Sequence, residues 1–174
     1  MNMDYICREV EKLKKKYHET DPFKLCEDMG IILLHTPMGT YPGACKGFFL
    51  TQSRKRSITI NSDLPESLQR IIVTHELGHA VLHAKAVGVK AFHDFELFDS
   101  TSLMEYEANI FATQIALPDD DFLELVEHGY DVQQIADAMY SDVNLVALKA
   151  DTLISQVYRL RSQKYKNDFL RYGH

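Results

Sequence analysis

Cysteine is scarce in this sequence, and the features of an exported or membrane protein are missing. The three cysteines, Cys7, Cys26 and Cys45, form no C-x-x-C pair and are odd in number, which favours reduced thiols over a disulfide framework. No apolar run approaches the roughly 18 residues of a membrane span. The N-terminus lacks the charged-then-apolar pattern of a signal peptide. These absences predict a cytoplasmic protein without a membrane segment.

Positive charge is also in deficit. Lys and Arg total 19 against 25 Asp and Glu, which gives a net charge of -6, so direct nucleic-acid binding is not expected. The 174 residues are 45% hydrophobic and 25% charged, as in an ordinary soluble domain with a proper core. We expect residues 1–122 to form that core and residues 123–174 to form a helical C-terminal region packed with it as one unit.

Hydrophobic periodicity and capping residues predict an α+β fold with a short three-stranded sheet. The predicted helices cover residues 3–18, Pro22 to a stop at Gly30, a segment starting near Glu66, and then residues 103–117, 119–127, 131–140 and 143–161. Strands are predicted over residues 31–35, 47–51 and 57–61. Asp63 is the expected cap of the third helix, and residues 87–101 are predicted to form a loop or a weak strand.

The third helix contains the pattern H-E-x-x-H, which begins at His75 and ends at His79. Two histidines four residues apart on a helix lie on the same face, with Cβ atoms about 6 Å apart. Both imidazoles can therefore reach one metal ion, usually zinc at about 2.0–2.1 Å from each nitrogen. Glu76, next to the first histidine, is then placed to take a proton from a water held by the metal.

A catalytic zinc usually has three protein ligands, so a third ligand is needed. The pattern H-E-x-x-H-x-x-G-x-x-H is excluded, because Leu82 and Lys85 occupy the positions of its glycine and last histidine. His83 continues the spacing of four, but on an unbroken helix it lies about 12 Å along the axis from His75. It could be a ligand only if the helix broke near Ala80, and a structural or supporting role is favoured.

An acid on the following helix is the better candidate for the third ligand. Glu105 lies on one face with a stripe of small residues that allows the two helices to approach closely, whereas Glu107 is expected to point elsewhere. Asn109, one turn after Glu105, is expected to hydrogen-bond a ligand histidine. Either acid also suits an exposed helix start, where the macrodipole favours negative charge. We predict Glu105 rather than Glu107.

The two helices together resemble a known family. Residues 75–83 read H-E-L-G-H-A-V-L-H, residues 105–112 read E-Y-E-A-N-I-F-A, and Leu117-Pro118 ends the second helix. This pattern is similar to that of the ImmA/IrrE metallo-endopeptidases, which show H-E-x-G-H-x-x-x-H, then E-x-x-A-N-x-F-A and a Leu-Met-Pro-like helix end. The methionine of that end is absent here. The likeness spans roughly residues 20–120.

The resemblance implies a small zincin-like fold of the gluzincin kind, with the sheet packed on the active-site helix. It implies one zinc ion with His75, His79 and Glu105 as ligands, and Glu76 as the catalytic base. It further implies a cytoplasmic phage or mobile-element protease that cleaves a helix-turn-helix repressor and relieves repression. An extended substrate is expected to add to the sheet along residues 57–61, and His83 and Tyr106 are candidates for stabilising the oxyanion.

A second hypothesis comes from the C-terminal helices. Residues 131–160 weakly resemble a helix-turn-helix whose turn lacks glycine. The alternative function is therefore a non-proteolytic, metal-containing regulatory protein that binds a repressor or DNA through these helices. Retention on DNA that depends on salt concentration would favour this alternative.

Overall fold

The computed structural model describes residues 2–84 and 103–169, with side chains up to residue 157. Within these ranges the elements are α1 Met3–Tyr17, α2 Pro22–Asp28, β1 Ile31–Thr36, β2 Gly47–Gln52, β3 Lys55–Asn61, α3 Glu66–Leu82, α4 Leu103–Ala116, α5 Asp119–Glu127, α6 Val132–Ala138 and α7 Val143–Phe169. The predicted α+β class is confirmed. The loop or weak strand predicted for residues 87–101 lies outside the described residues. None of the described helices is long and apolar enough to cross a membrane.

The sheet has the strand order β1-β3-β2. Strand β3 pairs in parallel with β1, where Leu33 faces Ile58, and antiparallel with β2, where Phe49 faces the same residue. Both sides of β3 are therefore occupied, and residues 57–61 cannot accept a further strand. The expected substrate pairing at residues 57–61 is wrong for this reason, because β1 and β2, and not β3, lie at the edges of the sheet that the described residues form.

Asn61 ends β3 with a fully buried side chain. Its amide oxygen accepts hydrogen bonds from the backbone N–H groups of Met38 (3.1 Å) and Asp63 (3.0 Å). Its amide nitrogen donates to the carbonyl oxygens of Gly39 (2.7 Å) and Cys45 (2.9 Å). One side chain thus fastens the long connection between β1 and β2 to the segment that leads into α3.

The helix starts follow the sequence closely, with one exception. Asp21 caps α2 through the backbone N–H of Phe23, at 2.9 Å, and Asp131 forms a capping box with Gln134 at the start of α6. Asp63 does not cap α3, because its carboxylate accepts a hydrogen bond from the backbone N–H of Gly39 instead. The predicted cap is therefore wrong, and α3 begins after Pro65 without a side-chain cap.

The core lies between the sheet, α3 and α4. The largest fully buried apolar side chains come from these layers and from the flanking helices, and they include Phe49, Ile58, Ile72, Leu77 and Phe111. Each such side chain stabilises the fold by roughly 1.5–3 kcal/mol relative to exposure. Since α3 is covered by the sheet on one side and by α4 on another, its middle is buried on every face.

A buried lysine ties α7 to the rest of the fold. The ammonium group of Lys149 donates to Gln114 Oε1 (3.2 Å) on α4 and to Asp119 at the start of α5. Burial lowers the pKa of Lys149, and the carboxylate of Asp119 opposes that shift. Lys14 on α1 donates to the backbone oxygen of Gln114 at 2.8 Å. The C-terminal helices are thus bonded to the same α4 that carries Glu105.

Candidate metal centre

The H-E-x-x-H pattern lies in the second half of α3, where residues 71–80 are buried without interruption. Most of this stretch is apolar, so the two histidines and Glu76 stand out as polar side chains in a dry environment. Burying such groups costs free energy unless they are paired or bind a metal. Glu76 is fully buried between the two histidines along the helix.

The structure brings the side chains of His75, His79 and Glu105 together at one point. Nε2 of His75 lies 3.1 Å from Nε2 of His79 and 3.2 Å from Oε2 of Glu105. Nε2 of His79 lies 3.4 Å from the same carboxylate oxygen. The two imidazoles are buried, and Glu105 is partly buried.

This triangle fits a zinc ion. Ligand atoms at about 2.0–2.2 Å in a tetrahedral arrangement are separated from each other by about 3.3 Å. The three measured separations of 3.1, 3.2 and 3.4 Å lie close to that value. Two imidazole nitrogens and one carboxylate oxygen are also the donor set of one class of catalytic zinc sites, with a fourth position left for water.

Asn109 orients the first histidine. Its Oδ1 lies 2.8 Å from Nδ1 of His75, and both side chains are buried. Nδ1 then carries the proton and donates a hydrogen bond to the amide oxygen, so that the lone pair of Nε2 is directed at the centre of the triangle. The hydrogen bond predicted for Asn109 is confirmed.

The approach of α4 to α3 depends on Gly78. A Cβ atom on this glycine would stand 3.2 Å from the Cα and the carbonyl oxygen of Ala108. The backbones of the two helices are therefore nearly in contact at this level. Gly78 lies between His75 and His79 on α3. Ala108 lies between Glu105 and Asn109 on α4.

His83 lies just after α3, which runs unbroken to Leu82. Its Nδ1 lies 3.0 Å from Nδ1 of His79, and its Nε2 lies 3.0 Å from Oε2 of Glu107. Burial, the largest effect, and the neighbouring His79 lower the pKa of His83 to about 4, so its imidazole is neutral at neutral pH. Both ring nitrogens are engaged within the protein, and so they are not available to stabilise an oxyanion.

Glu107 is the site residue that the sequence prediction missed. It was expected to point away from the histidines, yet only 3% of it is exposed and it faces His83. Two acids two residues apart point to different sides of α4, so Glu105 meets the histidines of α3 while Glu107 meets His83 just after the end of that helix. The spacing of four between His79 and His83 was the available signal, because it places these two rings on one face.

Up to residue 157, where the described side chains end, the C-terminal helices offer little cationic surface. On α7 the exposed side chains between residues 143 and 157 are apolar, amide or acidic, and the described lysine of that stretch, Lys149, is fully buried. A recognition helix for DNA needs exposed Lys or Arg side chains to contact phosphates. The described part of α7 therefore gives no support to the DNA-binding hypothesis.

Comparison with known proteins agrees with the motifs. The family model of the IrrE N-terminal-like domain, peptidase family M78, matches residues 26–148. An uncharacterized immunity region protein 2 of Bacillus phage phi105 is 34% identical over 110 residues, which are 63% of this chain and 66% of that protein. Metallopeptidase ImmA of Bacillus subtilis (strain 168) is 23% identical over 174 residues, which cover 97% of this chain and 95% of that protein.

The family match covers most of the chain, and it includes both helices that carry the triangle as well as the sheet. The fold, the H-E-x-x-H helix and the acid on α4 are therefore found together in the matched region. This chain belongs to the M78 (IrrE N-terminal-like) family of metallopeptidases, the ImmA/IrrE family that its motifs resemble.

Proposed function

We propose that this protein is a zinc-dependent endopeptidase that cleaves one specific regulatory protein, a helix-turn-helix repressor of a phage or mobile element. The observation that carries the proposal is the triangle of His75, His79 and Glu105, with separations of 3.1–3.4 Å, beside the buried Glu76. The repressor substrate is supported by the relative from the immunity region of a phage. Such a substrate is cytoplasmic, and the proposal assigns the peptidase to the same compartment.

In this proposal His75, His79 and Glu105 hold one zinc ion. When bound, the ion supplies Lewis acidity, which lowers the pKa of a water to about 7 and polarises the peptide carbonyl. The protein contributes the fixed geometry of the three ligands, and Asn109 holds His75 in the tautomer that a ligand requires. The dry surroundings of the two imidazoles strengthen every electrostatic interaction at the site.

Glu76 is assigned the role of general base and then general acid. As a carboxylate it accepts a proton from the attacking water while the new C–O bond forms at the peptide carbonyl. It then delivers that proton to the amine as the C–N bond breaks, so that the carboxylate is regenerated. This role is supported by its position next to His75 and by its complete burial in the same part of α3 as the two proposed histidine ligands.

The second candidate function is a binding protein that captures the repressor without cleaving it. Exposed apolar side chains in the C-terminal region favour this alternative as a docking surface, among them Tyr140 between α6 and α7 and Val143 at the start of α7. Both functions need the fold and tolerate the metal, so neither metal content nor binding distinguishes them. Only cleavage does.

The substitution Glu76→Gln separates the two functions. Glutamine has the same size but cannot accept the proton, so cleavage should fall by a factor of about 10² or more. The protein should be co-expressed with a candidate helix-turn-helix repressor from the same phage or mobile element, followed by measurement of the intact repressor mass and of a reporter gene under repressor control. Glu127→Gln is the matched control, since Glu127 is an exposed acid on α5 and should leave both readouts unchanged.

A peptidase predicts repressor fragments and derepression with the parent and with Glu127→Gln, and neither with Glu76→Gln. Zinc content should be equal in all three proteins, because Glu76 is not one of the proposed ligands. If Glu76→Gln derepresses as well as the parent and no fragment appears with either, the protein is a binding module and the peptidase proposal is wrong.

A further inference from the structure

The two histidines of the triangle have different partners on the side away from the triangle. Nδ1 of His75 meets an amide oxygen, that of Asn109. Nδ1 of His79 meets another imidazole, that of His83, and the second nitrogen of this imidazole meets the carboxylate of Glu107. All of these residues are at most 3% exposed. Glu107, His83 and His79 therefore form a row of three hydrogen-bonded groups that ends at the triangle.

With Glu107 ionised, the distances within this row favour one placement of protons. Nδ1 of His79 and Nδ1 of His83 are 3.0 Å apart, so one of them donates and the other accepts. If His83 donated through Nδ1, its neutral ring would turn the Nε2 lone pair toward the carboxylate of Glu107, 3.0 Å away. Two acceptors would then face each other in a buried place, at a cost of about 1–3 kcal/mol.

The opposite placement satisfies the hydrogen bonds within this row. His83 donates from Nε2 to the carboxylate of Glu107, and its Nδ1 accepts a hydrogen bond from Nδ1 of His79. Nε2 of His79 is then left without a proton, and its lone pair is directed at the triangle. A ligand histidine needs this tautomer, because a protonated nitrogen cannot bind a metal ion.

We infer that Glu107, acting through His83, fixes the tautomer and the orientation of His79. Glu107 and His83 are then positioning residues for the metal site. This inference rests on the ligand set of the proposed function. The pair is expensive to keep as structure alone, since apolar side chains of similar volume would stabilise a buried interface at least as well. A hydrogen-bond partner behind a ligand histidine typically improves metal affinity by about 10–100-fold.

The first test measures the tautomer of His79 directly. The metal-free parent protein is labelled with ¹⁵N at its histidines, and the ring nitrogens are assigned by NMR at pH 8, where an ordinary imidazole is neutral. The proton of His79 should reside on Nδ1, and Glu107→Gln should shift it to a mixture of the two nitrogens. A proton on Nε2 in the parent would overturn the inference, and so would a tautomer that ignores Glu107→Gln. This test needs no metal and no activity.

The second test is a double-mutant cycle read out as zinc affinity, measured by competition with a chelator. Glu107→Gln alone should weaken zinc binding by roughly tenfold. In a His83→Gln background it should change affinity less than about twofold, because the connection to His79 is already replaced by an amide. The exposed Glu127→Gln serves as control and should have no effect in either background. Equal losses in the two backgrounds would show that Glu107 acts independently of His83.

The two proposals fail in different ways. If the parent binds no zinc, the proposed peptidase site is wrong, and the tautomer of His79 still decides the role of Glu107. If zinc binding and cleavage are normal but neither Glu107→Gln nor His83→Gln changes zinc affinity, the peptidase stands and the positioning role is wrong. Thermal unfolding of the metal-free variants separates a general loss of stability from a specific loss of zinc affinity.

Discussion

Gly78 and Ala108 mark the point at which the backbones of the two site helices are nearly in contact. The space for a Cβ at position 78 is limited by the Cα and the carbonyl oxygen of Ala108, each 3.2 Å away, and by Cβ of Phe111 at the same distance. These neighbours are backbone or near-backbone atoms that cannot rotate aside. The separation of α3 and α4, and with it the reach of Glu105 toward the histidines, is set at this point.

Gly78→Ala should therefore weaken metal binding more than it weakens the fold. The added methyl costs about 1–3 kcal/mol through overpacking, whereas alanine in a helix interior recovers roughly 0.5–1 kcal/mol relative to glycine. Urea unfolding of the metal-free protein should thus show a net loss of at most about 2.5 kcal/mol, while chelator competition should show a clear loss of zinc affinity. An unchanged zinc affinity would contradict the idea that this contact sets the distance between the helices.

Loss of a ligand should be distinguishable from loss of a supporting residue. His79→Ala and Glu105→Ala each remove one of three proposed ligands, so tight zinc binding should disappear in both. His83→Ala and Glu107→Ala remove supporting groups, and a loss of about 10–100-fold is expected. Isothermal titration calorimetry measures the zinc affinity of all four variants. A larger loss for Glu107→Ala than for Glu105→Ala would move the third ligand to Glu107.

Asn61→Asp should destabilise the fold more than the near-identical shapes of the two side chains suggest. Aspartate keeps the oxygen that accepts from Met38 and Asp63 but cannot donate to the carbonyls of Gly39 and Cys45. We expect Asn61→Asp to lower the free energy of unfolding by roughly 2–4 kcal/mol, since two partly buried carbonyls lose their partner beside a buried charge. Chemical denaturation measures the change, and a loss below about 0.5 kcal/mol would refute the hub role.

Asp21 gives the fold a dependence on acid. Burial raises its pKa, but the Arg70 guanidinium at 3.0 Å and the backbone N–H groups of α2 outweigh that effect, so the pKa is lowered in the folded protein. Its stabilising contribution is therefore complete above the unfolded pKa of about 3.9 and is lost as the pH falls through the lower folded value.

Asp21→Ala should accordingly cost about 0.5–2 kcal/mol at pH 7, the value of an N-cap. The cost should shrink as the pH is lowered below about 4, because the parent loses the same contribution. Urea unfolding at pH 7 and pH 3 measures the difference. In an Arg70→Ala background the cap remains but the acid dependence should be smaller, and an equal dependence in both backgrounds would remove Arg70 as a cause.

The fold was largely predictable because its signals are local. Helix and strand positions follow from periodicity and from caps such as Asp21 and Asp131, which act within one turn. The central position of β3 was not predictable in this way. The alternation of residues 57–61 predicted a half-buried strand, whereas residues 58–61 are all buried, polar Thr59 and Asn61 included. The strand also has a paired strand on each side.

The site divides in the same manner. His75 and His79 share a face by spacing alone, and the small-residue stripe on α4 indicated the side that carries Glu105. The contact between His83 and Glu107 depends on where α3 ends and on how α4 crosses it, and neither can be read from one helix. Asp63 was misassigned as a cap because its true partner, Gly39, is distant in sequence.

The proposed ligands are divided between two helices, with His75 and His79 on α3 and Glu105 on α4. A zinc ion held by all three would cross-link these helices, and an unfolded chain would not hold it in this way. Folding would then be linked to metal supply, with each tenfold rise in free zinc above the dissociation constant adding about 1.4 kcal/mol to the free energy of unfolding. The lifetime of such a protein among cellular proteases would become a readout of zinc availability.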